Sequence, residues 1–355
     1  MMRMEDERSR SLLQFMEEEG RIPSPEEDLR RMNVIAKLKQ IVSTWIKKVA
    51  WQRQLFDDVI RSTSATILTS GSYGLGVYDT ESDIDALCVG PWFASSDVDF
   101  FVVLYNMLKN RKEVSEILCV KNARIPMMRF KFDGIPIDLP YAKLEFSIPE
   151  NVEVLNPMIL HGVDESSWKS LSGVRVNFGI LQLVPNVKEF QSLLRCVKLW
   201  AKKRTIYGNL FGYFGGVHLA ILAAFICIRN PEATLSTLVV DFFSTFASWP
   251  WPMPVALPDG TMPFFRDSDV ARFLMPIQLP CSPHEYCASN ISKSTFYRIN
   301  LELVRGCSLT KNLLRRDFDW NALFEPFLHH KYSWFVKVWL SASNEDDLGD
   351  WVGWV

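Results

Sequence analysis

Apolar residues recur at two different periods along this chain, and the dominant period changes near residue 150. From Ser24, in SPEEDLRRMNVIAKLKQIVSTWIKKVAWQRQL, the apolar positions Met32, Ile35, Leu38, Ile41, Val42, Trp45 and Ile46 fall at helical spacing. Ser24-Pro25 followed by acidic residues is a helix start. ATILTSG from Ala65 and IDALCVG from Ile84 are short strand-like runs that stop at glycine. IPMMRFKFDGIPIDLPYAKL holds a third and a fourth strand, joined at Asp133-Gly134, the dipeptide of a tight hairpin. Between the second and third strands, VDFFVVLYNMLKNRKEVSEIL reads as one amphipathic helix. Residues up to about 148 therefore predict a small mixed α/β domain.

Beyond that point the chain turns helical. VKEFQSLLRCVKLWAKKR and GGVHLAILAAFICIRN are the clearest elements. The proline clusters WPWPMPVALPDG and MPIQLPCSPHEY mark long connections. The last segment, from Trp320, alternates strand-like and loop-like pieces, and no internal repeat or low-complexity tract interrupts the pattern.

Composition narrows the picture. A chain of 355 residues with 48% hydrophobic side chains can bury a sizeable core in two or three domains. The net charge of −2 gives no overall attraction to nucleic acid, so a nucleic-acid site has to be a local basic patch. Seven cysteines, an odd number scattered through apolar segments, read as reduced intracellular thiols. Cys281, His284 and Cys287 form a compact C-x-x-H-x-x-C, but a closed zinc site needs four ligands and no fourth lies nearby. The charged N-terminus has no apolar signal-peptide core, and the longest apolar run, GVHLAILAAFICI, is too short to span a bilayer. A soluble, intracellular protein without membrane contact is expected.

The candidate chemistry lies in GSYGLGVYDTESDID, Gly71 to Asp85. Its glycines run G-x-x-G-x-G, which is not the dinucleotide fingerprint and excludes a dinucleotide-dependent oxidoreductase. Gly71 and Gly76 have P-loop spacing, but Val77 and Tyr78 stand where Lys and Ser/Thr are needed. A third reading fits the whole stretch. A strand ends, and Gly71-Ser72 open a turn whose N–H groups and hydroxyl can face phosphate oxygens. Asp83 and Asp85 then enter a strand at i and i+2, on one face. Two such carboxylates repel unless a cation lies between them, and Mg²⁺ favours a few carboxylates plus phosphate. Asp138, flanked by Ile137 and Leu139 as in a buried strand, is a candidate third carboxylate. Arg195, Lys198 and Lys202 share one helix face, with Leu194, Val197 and Ala201 opposite.

These residues resemble the eukaryotic poly(A) polymerases, plant members included. GSYGLGVYDTESDIDALCVGP is similar to that family's nucleotidyltransferase signature, and FDGIPIDLPYAKL to the segment with its third aspartate. LVPNVKEFQSLLRCVKLWAKKRTIYGNLFGYFGGVHLAIL resembles its central ATP-binding segment, and WPWPMPV, MPIQLP and WNALFEPF also have counterparts. The resemblance implies an α+β architecture: N-terminal helices over 1–49 packing with the central domain, a mixed-sheet catalytic domain over 50–148, a helical central domain over 149–316, and part of an RRM-like RNA-binding domain over 317–355. It implies transfer of AMP from ATP to RNA 3′ ends in mRNA polyadenylation, with Mg²⁺, or Mn²⁺ in its place, held by Asp83, Asp85 and Asp138. It further implies ATP contacts from Gly71, Ser72, Tyr73, Ile125, Lys198, Lys202, Tyr207, Asn209, Gly216 and Val217. Cleavage and polyadenylation factors are the implied partners of a monomeric enzyme in the nucleus, with the cytoplasm as the alternative. The incomplete RNA-binding domain implies weak, distributive RNA binding. Three places depart from the family pattern: Gly74 stands for arginine, Ser172 lies in a segment that carries asparagine, and Phe178-Gly179 replace acidic residues. A same-fold transferase preferring another base, and a non-catalytic subunit, are the alternative readings.

Overall fold

The computed structural model describes residues 2–145, 163–258, 273–281, 285–313, 315 and 317–327. Its centre is a five-stranded mixed sheet ordered β1 (Thr66–Thr69), β2 (Ile84–Gly90), β5 (Ile135–Lys143), β4 (Met127–Phe132), β3 (Val114–Val120). β2 and β5 run parallel, and the other neighbours run antiparallel.

The alternation of residue types along β2 and β5 gives the sheet two unlike faces. Ile84, Ala86 and Cys88, with Ile135, Ile137, Leu139 and Tyr141, point into one core cluster. That face is sealed by α2 (Pro25–Gln52), whose Val34, Leu38, Val42, Trp45, Ile46 and Val49 are buried in the same cluster. Each such aliphatic side chain contributes about 1.5–3 kcal/mol by leaving water. Ser24 caps this helix by accepting from the Glu27 N–H, and the Trp45 indole donates to the Asp99 carbonyl at 2.8 Å. Phe100, Phe101 and Leu104, on a helical segment over Ser96–Leu104, complete the seal. The opposite face carries Asp85 and Asp138 beside a small apolar cluster that includes Leu87, Val89, Ala142 and Leu171.

Two expectations differ from the structure here. The helix predicted over 98–118 ends at Lys109, and its last part is β3, an edge strand with a register shift between Ser115 and Leu118 and a left-handed Glu116 (φ 53°). The bulge breaks strand alternation, so the apolar spacing mimics a helix. The helices of 1–49 also divide. α1 (Met2–Glu18) buries Leu12 and Met16 in the helical half of the molecule, whereas α2, expected beside it, lies against the sheet. The apolar stripe of α2 is long enough to cover the sheet face.

Three short helices, α3 (Asp57–Ser62), α5 (Tyr105–Lys109) and α6 (Glu165–Ser170), connect the longer elements, and the helical half packs α7 (Ser172–Leu183), α8 (Val187–Lys203), α9 (Gly216–Arg229), α10 (Leu235–Ala247) and α11 (Lys293–Thr310) around one cluster. α12 (Trp320–Phe324) buries Trp320, Leu323 and Phe324 in that same cluster. The RRM-like part is expected over 317–355, but its first residues belong to this helical core, because Trp320, Leu323 and Phe324 are buried there, and the rest from 328 onward lies outside the described residues. The seven cysteines are all free, and His284 of the C-x-x-H-x-x-C lies outside the described residues. No helix among the described residues is long and apolar enough to cross a membrane.

Candidate active site

β1 ends at Thr69, and Gly71–Gly74 form α4, a single helical turn. Gly71 has φ 58°, and a Cβ there would lie 1.8 Å from Asp85 Oδ2. Glycine is required by both the backbone conformation and the approach of the carboxylate. The first N–H groups of a helical turn have no partner within it, so this turn presents donors beside the acidic residues. Asn177 of α7 fixes the turn by donating from Nδ2 to the Gly71 carbonyl at 3.0 Å.

Asp85 and Asp138 are register partners on β2 and β5, and Asp83 immediately precedes β2. The three carboxylates lie within 4.8 Å of one another. Burial, then Asp83 and Asp138, push the Asp85 carboxyl up to about 6, while Lys198 pulls the other way. Asp83 is raised by burial and then by Asp138. Three crowded carboxylates make a hard-oxygen donor set for a divalent cation. Arg129 of β4, the register partner of Asp138 on its other side, holds both its oxygens at 2.7 and 3.0 Å.

Facing these groups is α8. Gln191 donates to the Leu75 carbonyl at 3.0 Å, Arg195 to Gly76 at 2.5 Å and Lys198 to Val77 at 3.4 Å. Lys202 pairs with Asp79 at 3.6 Å. One face of the helix thus reads successive carbonyls of the loop after the glycine turn and then a carboxylate. The stripe found in the sequence is a clamp on that loop as well as a wall of the cleft. Burial, then neighbouring Lys202, lower the Lys198 ammonium to about 8, against the opposing pull of Asp79 and Asp83. Tyr207 is raised by burial first and by Asp79, Asp83 and Asp85 after it.

Sheet and helices enclose a cleft of about 900 Å³. Gly71, Ser72, Asp83, Asp85, Lys198, Lys202, Tyr207, Gly216 and Val217 line it, as does Ser172. Its apolar end is made by Val176, Ile180, Ala220, Leu279 and Cys287. Asp138 joins through the carboxylate cluster. Three expected residues are not in the cleft wall. The Tyr73 ring packs on Tyr78, with centroids 4.9 Å apart. Asn209 is bonded to Asn290, and Ile125 is half-buried just before β4.

Asn177, Gln191, Asp79 and Arg129 were not among the expected site residues. Arg129 was within reach of the sequence, because it stands as far before the Asp133-Gly134 turn as Asp138 stands after it, and hairpin pairing then sets the two opposite. Gly74 has a local reason. A Cβ there would lie 2.6 Å from Asn177 Nδ2 and 2.8 Å from the Thr69 carbonyl, so Asn177 occupies the space an arginine would need.

Both halves of the chain match families of known proteins. The model of the poly(A) polymerase nucleotidyltransferase domain matches residues 3–184, and that of the poly(A) polymerase central domain matches 189–326. The chain is 58% identical to nuclear poly(A) polymerase 3 of Arabidopsis thaliana over 99% of its length, spanning 69% of that protein. It is 39% identical to the poly(A) polymerase of Dictyostelium discoideum, over 94% of this chain and 42% of that one. Among solved structures, a cytoplasmic RNA terminal U-transferase superposes with TM-score 0.61 at 17% identity, covering 90% of this chain and 98% of that one. The Cid1 poly(U) polymerase superposes with TM-score 0.62 at 16% identity, over 89% and 98%. These two share the fold. With both domain models matched end to end across the cleft that brings the carboxylates to the lysines, the chain belongs to the poly(A) polymerase family.

Proposed function

We propose that the cleft binds ATP together with divalent cations, and that the chain transfers AMP from it to an RNA 3′-hydroxyl with release of pyrophosphate. As a poly(A) polymerase, the chain is a polynucleotide adenylyltransferase. The observation that carries the mechanism is the set of three carboxylates within 4.8 Å, facing Lys198 across the cleft. Their crowding and the raised Asp85 and Asp83 carboxyls fit a site built for Mg²⁺, with Mn²⁺ able to replace it.

Asp83 and Asp85 would hold both cations, and Asp138 the one on the primer side. Bound there, the cations would activate the attacking hydroxyl and neutralise charge on the leaving pyrophosphate. The chain's own residues do the rest. Gly71 and Ser72 cradle phosphate oxygens through N–H groups and a hydroxyl. Lys198, Lys202 and Tyr207 hold the triphosphate, and its charge favours the protonated form of Lys198. Arg129 fixes the orientation of Asp138, which would accept the hydroxyl proton. Gly216, Val217 and the apolar end of the cleft take the nucleoside. Alignment of both substrates against fixed charges is the main source of rate in such transfers.

The names of the relatives support mRNA polyadenylation in the nucleus as the setting. Recruitment by cleavage and polyadenylation factors, and a monomeric working state, complete the reading. Equilibrium binding of ATP tests it: affinity should require Mg²⁺ and be lost in Asp83→Ala, and metal-independent binding unaffected by that substitution would overturn it.

A further inference from the structure

Asp79 is an acidic residue in the wall of a cleft proposed to bind a polyanion. Its side chain is 11% exposed, and it is not one of the clustered carboxylates. Oδ1 accepts from the Ser82 hydroxyl at 2.7 Å. Oδ2 accepts from Arg21 Nη1 at 2.8 Å and lies 3.6 Å from Lys202 Nζ. Two cations therefore share one oxygen.

The two cations come from the helical half of the molecule. Arg21 follows α1, whose Leu12 and Met16 are buried in the helical core, and neighbouring Glu19 pairs with Lys203 of α8 at 2.7 Å. Asp79 is held over α8 by the same clamp that fixes Leu75, Gly76 and Val77. Burial works upward on the Asp79 carboxyl, but Ser82, Lys202 and Arg21 hold it down to about 2, so it keeps its charge.

We infer that Asp79 is a positioning residue that tunes how strongly Lys202 attracts the triphosphate, and that Arg21 sets the strength of this restraint. The inference rests on the reading of Lys202 as a triphosphate contact. Asp79 aims the Lys202 ammonium and offsets part of its charge, which favours release of pyrophosphate after transfer. Arg21 neutralises Asp79 in turn, so that Lys202 stays available to ATP. The two residues oppose each other: loss of the carboxylate strengthens the hold on phosphates, and loss of the guanidinium weakens it.

Steady-state extension of oligo(A) by the full chain, with Mg²⁺ and varied ATP, separates these effects. Asp79→Asn should lower KM for ATP roughly fivefold and strengthen inhibition by added pyrophosphate, while Arg21→Gln should raise KM by a similar factor, the size expected of a partly exposed ion pair. Most of the Arg21→Gln effect should vanish when Asp79 is already Asn. A merely structural bridge would lower the melting temperature in both variants and move KM the same way in both, and that result overturns the inference. Lys202→Met is run alongside. If it leaves KM for ATP unchanged in an active enzyme, the reading of Lys202 is what fails. If it raises KM while Asp79→Asn and Arg21→Gln do not diverge, the inference alone fails.

Discussion

Asp85 and Asp138 stand directly opposite each other on two parallel strands, their carboxylates within 4.8 Å of each other, and Asp85 lines the cleft. Burial and this crowding push Asp85 up to about 6. A cation binds the ionised form, so binding must displace the proton wherever one is present. Calorimetric titration with Mg²⁺ in buffers of different ionisation enthalpy should detect proton release near pH 6 and none near pH 8. The difference should disappear in Asp85→Asn.

Gly71 couples the glycine turn to that pair. In Gly71→Ala the new methyl group would meet Asp85 Oδ2 at 1.8 Å, and the left-handed backbone adds about 1–2 kcal/mol of strain. The carboxylate must move by about the distance that costs a hundredfold in rate. Extension should fall by at least roughly that factor, with the chain still folded by circular dichroism.

Restoring the family's arginine at position 74 should harm the protein. The Cβ of Gly74→Arg would press on Asn177 Nδ2 and the Thr69 carbonyl, breaking the Asn177 bond to Gly71. Overpacking of this kind costs about 1–3 kcal/mol. Denaturant unfolding should register that loss, and Asn177→Gly in the same chain should recover part of it.

His218, 1% exposed in α9, accepts the Gly215 N–H through Nδ1 at 2.9 Å, and burial lowers its pKa to about 4. A histidine is ordinarily near 6.5 when unfolded, so the unfolded chain binds the extra proton first. The neutral ring therefore contributes stability in full above about pH 6.5, and loses it as pH falls toward 4, by about 3 kcal/mol in all. Unfolding free energies measured from pH 7 to 4 should show a shallower decline in His218→Asn.

The sequence carried more of the site than of the fold around it. Asp85 and Asp138 were legible because charged residues inside apolar strands have few reasons to be there other than a ligand, and Asp83 because it stands two residues before Asp85 at the entry to its strand. Spacing showed that Lys198 and Lys202 share a helix face, but only the resemblance to the poly(A) polymerases pointed that face at a nucleotide. β3 was not, because its bulge imitates helical periodicity. Met32, taken as an apolar-face position, is 62% exposed, while Val34 is buried at 1%. A slip of that kind is expected when a long helix covers a twisted sheet. Asn177 and Asp79 escaped because their roles depend on contacts between segments about a hundred or more residues apart. Nothing local marks such a pair.

The central claim is that this cleft adds adenylate to RNA through the three aspartates. Its most direct test incubates the full chain with an oligo(A) primer, Mg²⁺ and each of the four nucleoside triphosphates separately, beside Asp138→Asn. The account predicts extension with ATP and its loss in the variant. Extension with UTP or with all four would contradict the adenylate assignment, and extension that survives Asp138→Asn would contradict the carboxylate mechanism.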